Sequence, residues 1–200
     1  MTNVVRPYKG VAAETRRRQR RQQLLDACLD VVAESGVATI TVETICNRAN
    51  LSKRYFYESF RDRDTILVAA LDEIFRPLGD KLAKQFEPHK SADDRVALTA
   101  STLVEILTAD PRAAYLYISA AGNPALESRR RQIVDDFTPL LMREILNADP
   151  NNHKAIATTI VMVAGTTELL DRWLRGSLPF TRKEFIDTLQ TIGLKLAHSD

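Results

Sequence analysis

Residues 41–57 constrain the fold of this chain more strongly than any other segment, because their pattern predicts two very short helices joined by a tight turn. Ile40 and Ile45 are apolar positions that can pack the first of these helices inward. Phe56 and Phe60 stand four residues apart, so they can share one buried face. The segment therefore predicts a small helical unit whose second helix has one inward and one outward face.

The connection between the two short helices has the residues that a tight reversal needs. Asn50 lies at the point of reversal, which commonly requires a positive φ, and after Gly it is Asn that tolerates this conformation best. Ser52 follows as an N-cap for the second helix. At about 100° per residue, Lys53, Arg54 and Tyr57 share one outward arc of that helix. Basic and aromatic side chains in this place indicate a helix-turn-helix that enters the major groove of DNA.

Residues 41–67 resemble the DNA-binding module of tetracycline-repressor-like (TetR family) regulators. The positions that match the family pattern are Thr41, Ile45, Ala49, Leu51, Ser52, Phe56, Tyr57, Phe60, Arg63, Asp64 and Ile66. The chain departs from the pattern at Cys46, Asn50, Ser59 and Arg63, where the family usually has Ala, Gly, His and Lys. The resemblance implies an all-α fold, with an N-terminal three-helix helix-turn-helix DNA-binding domain and a C-terminal helical ligand-binding and dimerisation domain.

The distribution of charge agrees with this division. Residues 1–64 hold 12 Lys or Arg against 8 Asp or Glu, whereas residues 65–200 hold 16 against 18. Positive charge therefore lies with the motif, as expected for a surface that meets phosphates. We expect a DNA-binding domain with a basic N-terminal arm over residues 1–64, and a helical ligand-sensing and dimerisation domain over residues 65–200.

A dense group of arginines precedes the apolar face of the first helix: Arg16, Arg17, Arg18, Arg20 and Arg21. One interpretation is a solvated helix end that has no further role. The other is an arm that contacts phosphates or the minor groove, with Arg16, Arg17 and Arg18 as the residues that bind DNA.

Within the motif, Lys53 and Arg54 are the candidates for reading base edges, since Arg is suited to a bidentate contact with guanine. Tyr55 matches a position that also faces DNA in the family, where it can meet a thymine methyl group or a phosphate. The resemblance further implies phosphate contacts from Thr41, Ser52, Tyr57 and Arg63.

Apolar residues at helical spacing continue to the end of the chain. We predict a first helix from about Thr15 to Ser35 that ends at Gly36, and a second long helix from about Asp62. Further helix starts are predicted by capping residues and prolines at Ser91 with Asp94, Pro111, Asn123 with Pro124, Asn152, and Thr181 with Glu184.

The last two predicted helices are apolar around much of their circumference, and small residues would let another helix approach closely: Ala157, Ala164, Gly165 and Gly193. The same residues can instead complete the internal core. The resemblance implies a homodimer whose four-helix interface is made by these two helices. Two-fold symmetry would place two recognition helices about 34–36 Å apart on a pseudo-palindromic double-stranded DNA operator.

The resemblance also implies that the central helices enclose an apolar cavity for a small-molecule effector, whose binding shifts the long helix that starts near Asp62. Large apolar side chains at helical spacing are the candidates for its lining, although each can equally be a core residue: Phe75, Phe86, Leu103, Leu107, Tyr115, Phe137, Met142, Met162 and Trp173. Tyr115, Tyr117 and Trp173 can add polar groups to such a pocket.

The sequence does not favour an enzyme, a metal site or a cofactor. The three histidines are widely spaced, and no glycine-rich phosphate loop or G-x-S-x-G motif is present. Cys28 and Cys46 lie in apolar helical patterns and are expected to be packing residues, with redox sensing as the alternative. No run of 18 apolar residues and no apolar signal core occurs, so we expect no membrane association and a cytoplasmic location.

Together these features predict a ligand-responsive DNA-binding transcriptional regulator, a homodimeric repressor that a small, mainly apolar ligand releases from its operator. The alternatives are a transcriptional activator with the same fold and a helical adaptor that binds protein. The adaptor would have no salt-dependent affinity for duplex DNA.

Overall fold

The computed structural model describes residues 8–85, 91–149 and 151–198, and within these ranges it contains α-helices and no β-strand. The helices are α1 Tyr8–Ser35, α2 Val42–Ala49, α3 Lys53–Tyr57, α4 Arg63–Gln85, α5 Ala92–Ala109, α6 Pro111–Ser119, α7 Pro124–Glu144, α8 His153–Leu174 and α9 Arg182–Ala197. The all-α fold class predicted from the sequence is confirmed.

The chain divides into two compact units, Met1–Ala70 (unit 1) and Leu71–Asp200 (unit 2). The division falls within α4, so this helix contributes residues to both units. The sequence-based boundary after residue 64 lies near the start of the same helix.

The core of unit 1 is built by α1 and the two short helices. Leu24 and Cys28 lie four residues apart on α1, and both are fully buried together with Ile45 of α2 and Phe56 of α3. Residues at this spacing share one face of a helix, so α1 presents a continuous apolar stripe to the helix-turn-helix. Helix α3 therefore packs on this core through its inward side.

Helix α1 begins earlier than predicted, at Tyr8 rather than near Thr15. The added segment, residues 8–14, has no apolar face at helical spacing, so periodicity gave no signal for it. It does contain two alanines and a glutamate, which are good helix formers, and a helix that is already nucleated extends at one hydrogen bond per residue.

The predicted helix starts in unit 2 are confirmed. Ser91 and Asp94 form a reciprocal capping box at α5, with the Asp94 amide donating to Ser91 Oγ at 3.1 Å. Thr181 and Glu184 form another at α9. The side chains of two asparagines accept amide hydrogen bonds at the starts of α7 and α8: Asn123 and Asn152.

Helix α4 begins one residue after Asp62, whose carboxylate caps it. Oδ1 of Asp62 accepts hydrogen bonds from the Thr65 amide at 2.8 Å and from the Thr65 hydroxyl at 2.7 Å. These two hydrogen bonds, with a further one from Arg61, lower the pKa of Asp62 to about 2. The carboxylate therefore stabilises the folded state only while it is ionised.

Replacing Asp62 with alanine is expected to lower the free energy of unfolding by about 0.5–2 kcal/mol near neutral pH, the usual loss for a helix N-cap. The stabilisation is present above pH 3.8, the ordinary aspartate pKa, and is lost as the pH falls from there towards 2. Urea unfolding of the wild type and Asp62→Ala at about pH 6 and about pH 3 measures the difference.

Asp62→Asn is the control, because an amide oxygen accepts the cap hydrogen bonds at any pH in this range. It should remain closer to the wild type at pH 6 than Asp62→Ala does. A gap between wild type and Asp62→Ala that is equally large at both pH values would contradict the role of the ionised carboxylate.

Candidate DNA-binding surface and ligand cavity

The turn between α2 and α3 has the predicted conformation. Asn50 adopts φ 51° and ψ 43°, in the left-handed region, which confirms the role expected for this residue. Its amide donates to Asn47, and the amide of Leu51 donates to the carbonyl of Cys46 at 3.0 Å. The last carbonyls of α2 are satisfied in this way, and the chain enters α3 at once.

The start of each short helix is capped differently. Thr41 caps α2, since its Oγ1 accepts from the Thr44 amide at 3.1 Å, and Thr44 Oγ1 accepts in return from the Thr41 amide at 3.0 Å. Ser52 occupies the predicted N-cap position of α3, although its hydroxyl makes no cap hydrogen bond. The exposed hydroxyl of Ser52 can donate to a group outside the chain.

Helix α3 is held by one aromatic side chain and exposes the others. Phe56 is fully buried, and its ring centroid lies 5.6 Å from that of Phe60 and 5.5 Å from that of Tyr57. Tyr57 itself is 59% exposed and Tyr55 37% exposed. Phe56 alone faces inward, so the rest of α3 is available to a partner.

The basic side chains of α3 are solvent-exposed and weakly paired. Arg54 has 86% of its side chain exposed and lies 3.6 Å from Glu58. Lys53 lies 3.0 Å from Glu43, with both side chains more than half exposed. Exposed ion pairs of this kind contribute about 0–1 kcal/mol to stability. A base edge or a phosphate can therefore replace the carboxylate in either pair at little cost.

Two arginines of α1 contact the carboxyl end of α3. Arg17 donates to the backbone carbonyl of Glu58 at 2.7 Å, and Arg20 pairs with the Glu58 carboxylate at 3.3 Å. The guanidinium of Arg20 also lies 4.4 Å from the centre of the Tyr55 ring. Cations near a helix C-terminus are favourable, so these arginines stabilise the carboxyl end of α3. The run of arginines in the sequence did not indicate this role.

The other DNA-binding candidates on unit 1 are also at the surface. Arg16 and Arg18 are exposed on α1. Arg63, in the first turn of α4, lies 2.9 Å from the carboxylate of Asp64 and has 38% of its side chain exposed. The structure thus places all these candidates within reach of solvent, and Arg17 in an internal hydrogen bond.

Unit 2 contains a cavity of about 130 Å³ that is lined by side chains from α4 to α9. Four of the residues predicted from the sequence line it: Phe75, Leu103, Phe137 and Met162. The remaining lining is mostly aliphatic, as expected for a site that binds an apolar ligand, and its polar members are Thr99, Tyr117, Arg130, Thr166 and Thr167.

The other predicted lining residues lie elsewhere. Leu107 and Met142 are buried in the core away from the cavity, and Tyr115 is 51% exposed at the surface. Trp173 stacks on Phe185 with ring centroids 4.4 Å apart, and its indole N–H donates to a backbone carbonyl at 2.9 Å. Phe86 lies outside the described residues. Core positions and lining positions share the same helical periodicity, so spacing alone does not distinguish them.

The polar end of the cavity is formed by Tyr117 and Arg130. Tyr117 is 4% exposed and packs on Phe75, with ring centroids 5.8 Å apart. Burial raises the pKa of Tyr117, although the nearby Arg130 and Thr167 act in the opposite direction, and the phenol is neutral at physiological pH. Arg130 was not predicted. The missed signal is its spacing of three and seven residues from Ile133 and Phe137, which puts a charge on the apolar stripe of α7.

Helix α8 leaves an apolar strip exposed. Ala157, Val161, Ala164 and Gly165 follow one another at spacings that share a helix face, and all four are exposed, Val161 to 57%. Ile160 beside them is 50% exposed, and Ile192 on α9 is 40% exposed. Gly193 follows the alternative of an internal core: a Cβ there would lie 2.7 Å from the Val96 side chain, so this glycine allows α5 and α9 to pack within the unit.

Several other features of the described residues bear on the class of protein. They contain no group of three or more His, Cys, Asp and Glu side chains arranged to hold a metal ion. None of their helices combines the length and the hydropathy that crossing a membrane requires.

Burial raises the pKa of Cys28 to about 12 and also raises that of Cys46, so both remain thiols that fill the core.

The short exposed helix α3 on a helix-turn-helix scaffold, with a second helical unit that contains a mostly apolar cavity, gives the chain the fold of the TetR-family transcriptional regulators. No protein-family model matches the chain. The HTH-type transcriptional regulator BetI of Cronobacter sakazakii is 32% identical over 81 residues, a match that covers 40% of each chain. The chain thus aligns with about two fifths of the length of the curated relatives that it matches.

Solved structures extend the likeness to nearly the whole fold. A putative TetR-family transcriptional regulator from Syntrophomonas wolfei superposes with a TM-score of 0.80 at 19% identity, covering 91% of this chain and 96% of that one. FadR from Bacillus subtilis in complex with stearoyl-CoA gives a TM-score of 0.71 at 18% identity, covering 88% of this chain and 97% of that one. The resemblance inferred from residues 41–67 is therefore confirmed, and the fold is TetR-like.

Proposed function

We propose that the protein is a homodimeric transcriptional regulator, a repressor that binds a pseudo-palindromic DNA operator and is released by a small, mainly apolar ligand. The observation that carries the proposal is α3, where one buried aromatic side chain fixes the helix while Lys53, Arg54, Tyr55 and Tyr57 stay exposed. The relatives and structural neighbours are transcriptional regulators, a class without catalytic activity, and we propose the same non-enzymatic role in the cytoplasm.

The exposed strip on α8 supports the dimer. Val161 and Ile160 leave apolar surface in water on an otherwise well-packed unit, and the small residues beside them allow another helix to approach closely. A second copy of the same strip is the natural cover, because a two-fold interface pairs a surface with itself. We propose that α8 and α9 of two protomers form a four-helix interface.

The cavity supports the response to a ligand. Helix α4 lines it with Phe75, Leu78 and Leu82, and the first residues of the same helix belong to unit 1. A ligand that fits only one position of α4 would favour that position over the one that binds DNA. The change in operator affinity is limited by the preference of the ligand for the released state.

Cavity size restricts the effector. An engineered apolar cavity of about 150 Å³ accommodates benzene, so a cavity of about 130 Å³ suits a single ring or a short chain. Stearoyl-CoA, the ligand in the FadR complex, is far larger than this cavity. We therefore propose a smaller effector for this protein.

Footprinting of the purified protein on the DNA upstream of its own gene tests the proposal. A protected pseudo-palindrome, with affinity that falls steeply as salt rises, is expected for a DNA-binding dimer. Affinity for duplex DNA that is absent at low salt would favour the protein-binding adaptor instead. Activation rather than repression of a promoter placed beside the protected site would identify an activator.

Replacing Arg54 with alanine is expected to weaken operator binding by about 1–3 kcal/mol and to relax specificity at one or two base pairs, because this side chain is proposed to contact a base edge. Arg63→Ala should instead weaken binding to operator and random duplex DNA similarly, since a phosphate contact carries no sequence information. Fluorescence anisotropy with both duplexes at several salt concentrations measures the two effects.

Each variant serves as the control for the other, because both remove one exposed positive charge from unit 1. If Arg54→Ala and Arg63→Ala reduced the affinity for operator and random DNA by the same factors, the division into base contact and phosphate contact would be wrong.

A further inference from the structure

Arg130 is the cationic residue among the described side chains that line the cavity, whose walls are mostly apolar apart from three threonines and Tyr117. Its guanidinium carbon lies 4.4 Å from the centre of the Tyr117 ring, and Nη2 reaches the Tyr117 hydroxyl at 3.5 Å. The ring stack fixes the plane of the guanidinium but supplies no negative charge, because the buried phenol is neutral.

No carboxylate among the described residues forms an ion pair with Arg130, whose guanidinium contacts Tyr117 through the ring and the hydroxyl. The adjacent Arg129 shows the usual arrangement, with Asp72 at 2.5 Å and Asp136 at 3.3 Å. Arg130 is partly buried, so its guanidinium borders the apolar walls while keeping some contact with solvent. Arg130 therefore has a charge and hydrogen-bond donors available to a molecule in the cavity.

We propose that the effector is an apolar carboxylic acid whose carboxylate pairs with Arg130 while its ring or short chain fills the cavity. This inference rests on the proposed function and adds the chemical class of the ligand. The planar guanidinium fork matches the two oxygens of a carboxylate and forms short, charge-assisted hydrogen bonds with them. A singly charged carboxylate also loses less hydration on entering an apolar cavity than a doubly charged phosphate does.

A second donor lies in the cavity wall. The hydroxyl of Thr166 makes no hydrogen bond within the part of the chain that the structure describes, whereas that of Thr167 donates to the Val163 carbonyl at 2.8 Å. Thr166 on α8 and Arg130 on α7 thus belong to neighbouring helices that pack against each other.

Calorimetric titration of the full chain with matched acids and amides tests the inference. The probes are benzoate, phenylacetate and hexanoate, each compared with its neutral amide of nearly equal shape. At least one acid is expected to bind about 10-fold or more tightly than its amide, the usual effect of a hydrogen bond to a charged group. In Arg130→Gln this preference should disappear while amide binding is unchanged.

Two further variants separate charge from packing. Arg131→Gln removes an exposed arginine from the next position of α7 and should keep the full preference for the acid. Arg130→Lys retains a cation and should keep part of it. The thermal unfolding midpoint of each variant establishes that it folds.

Equal affinities for acid and amide in the wild type would overturn the inference, as would loss of both in Arg130→Gln with the fold intact. Failure of all three acids to bind would overturn it as well. Operator binding, measured in parallel, tests the proposed function separately from the carboxylate site. If an acid binds at Arg130 but operator affinity is unchanged, the carboxylate site is supported and the proposed release by ligand is wrong.

Discussion

Replacing Phe56 with alanine is expected to destabilise unit 1 by about 3–5 kcal/mol and to abolish sequence-specific DNA binding. The side chain is fully buried, and it packs against the rings of Tyr57 and Phe60. It is the only side chain of α3 that is buried, so its removal leaves a cavity beneath α3 and weakens the packing that holds this helix on unit 1. A short helix without packing is not stable in water.

The distribution of chromophores allows unit 1 to be followed separately. The chain has a single tryptophan, Trp173, which lies in α8 of unit 2. In urea, tryptophan fluorescence therefore follows unit 2, while far-ultraviolet circular dichroism follows both units. For Phe56→Ala the dichroism should begin to change at clearly lower urea than the fluorescence.

Tyr57→Ala is the matched control, since it removes a neighbouring aromatic side chain that is 59% exposed. It should change stability by less than about 1 kcal/mol while still weakening DNA binding, because surface substitutions have small effects on folding. A Phe56→Ala protein that unfolds at the same urea concentration as the wild type would contradict the proposed support of α3.

Features of the fold that depend on neighbouring residues were predictable from the sequence. The left-handed Asn50 and the capping pairs at α5 and α9 involve atoms within four residues of one another, so the local sequence determines them. The pairing of Phe56 with Phe60 depends only on helical periodicity. These features position the candidate DNA-binding surface, which explains why that part of the site was found first.

Features that depend on which helices meet could not be predicted. Gly193 could have belonged to an interface between copies or to the internal core, and its contact with Val96 across α5 and α9 gives the second. Trp173 was expected at the cavity, yet its ring stacks on Phe185. Arg130 lies on the same face as cavity-lining residues, and the packing of both α6 and α7 against α8 accompanies its contact with Tyr117. An apolar stripe identifies a buried face without identifying its partner.

Replacing Val161 with aspartate is expected to convert the proposed dimer into monomers and to weaken binding to the full operator by at least about 100-fold. Val161 lies at the centre of the exposed strip on α8, where a two-fold axis would bring two introduced carboxylates together inside an apolar interface. A monomer binds one half-site at a time and loses the gain of about 10²–10⁴ that linking two binding modules provides. Sedimentation velocity and operator titration measure the two effects.

Gln132→Asp is the control, because it adds the same charge to an exposed position on α7 and should leave both the mass of the assembly and the operator affinity unchanged. Val161→Asp should also retain the affinity of the wild type for a single half-site, since unit 1 is unaltered. That combination would assign the loss to assembly rather than to folding. If the Val161→Asp protein sedimented as a dimer, the interface could not be on the α8 strip. If the wild type were a monomer that binds the full operator tightly, the proposal of a dimer would be wrong.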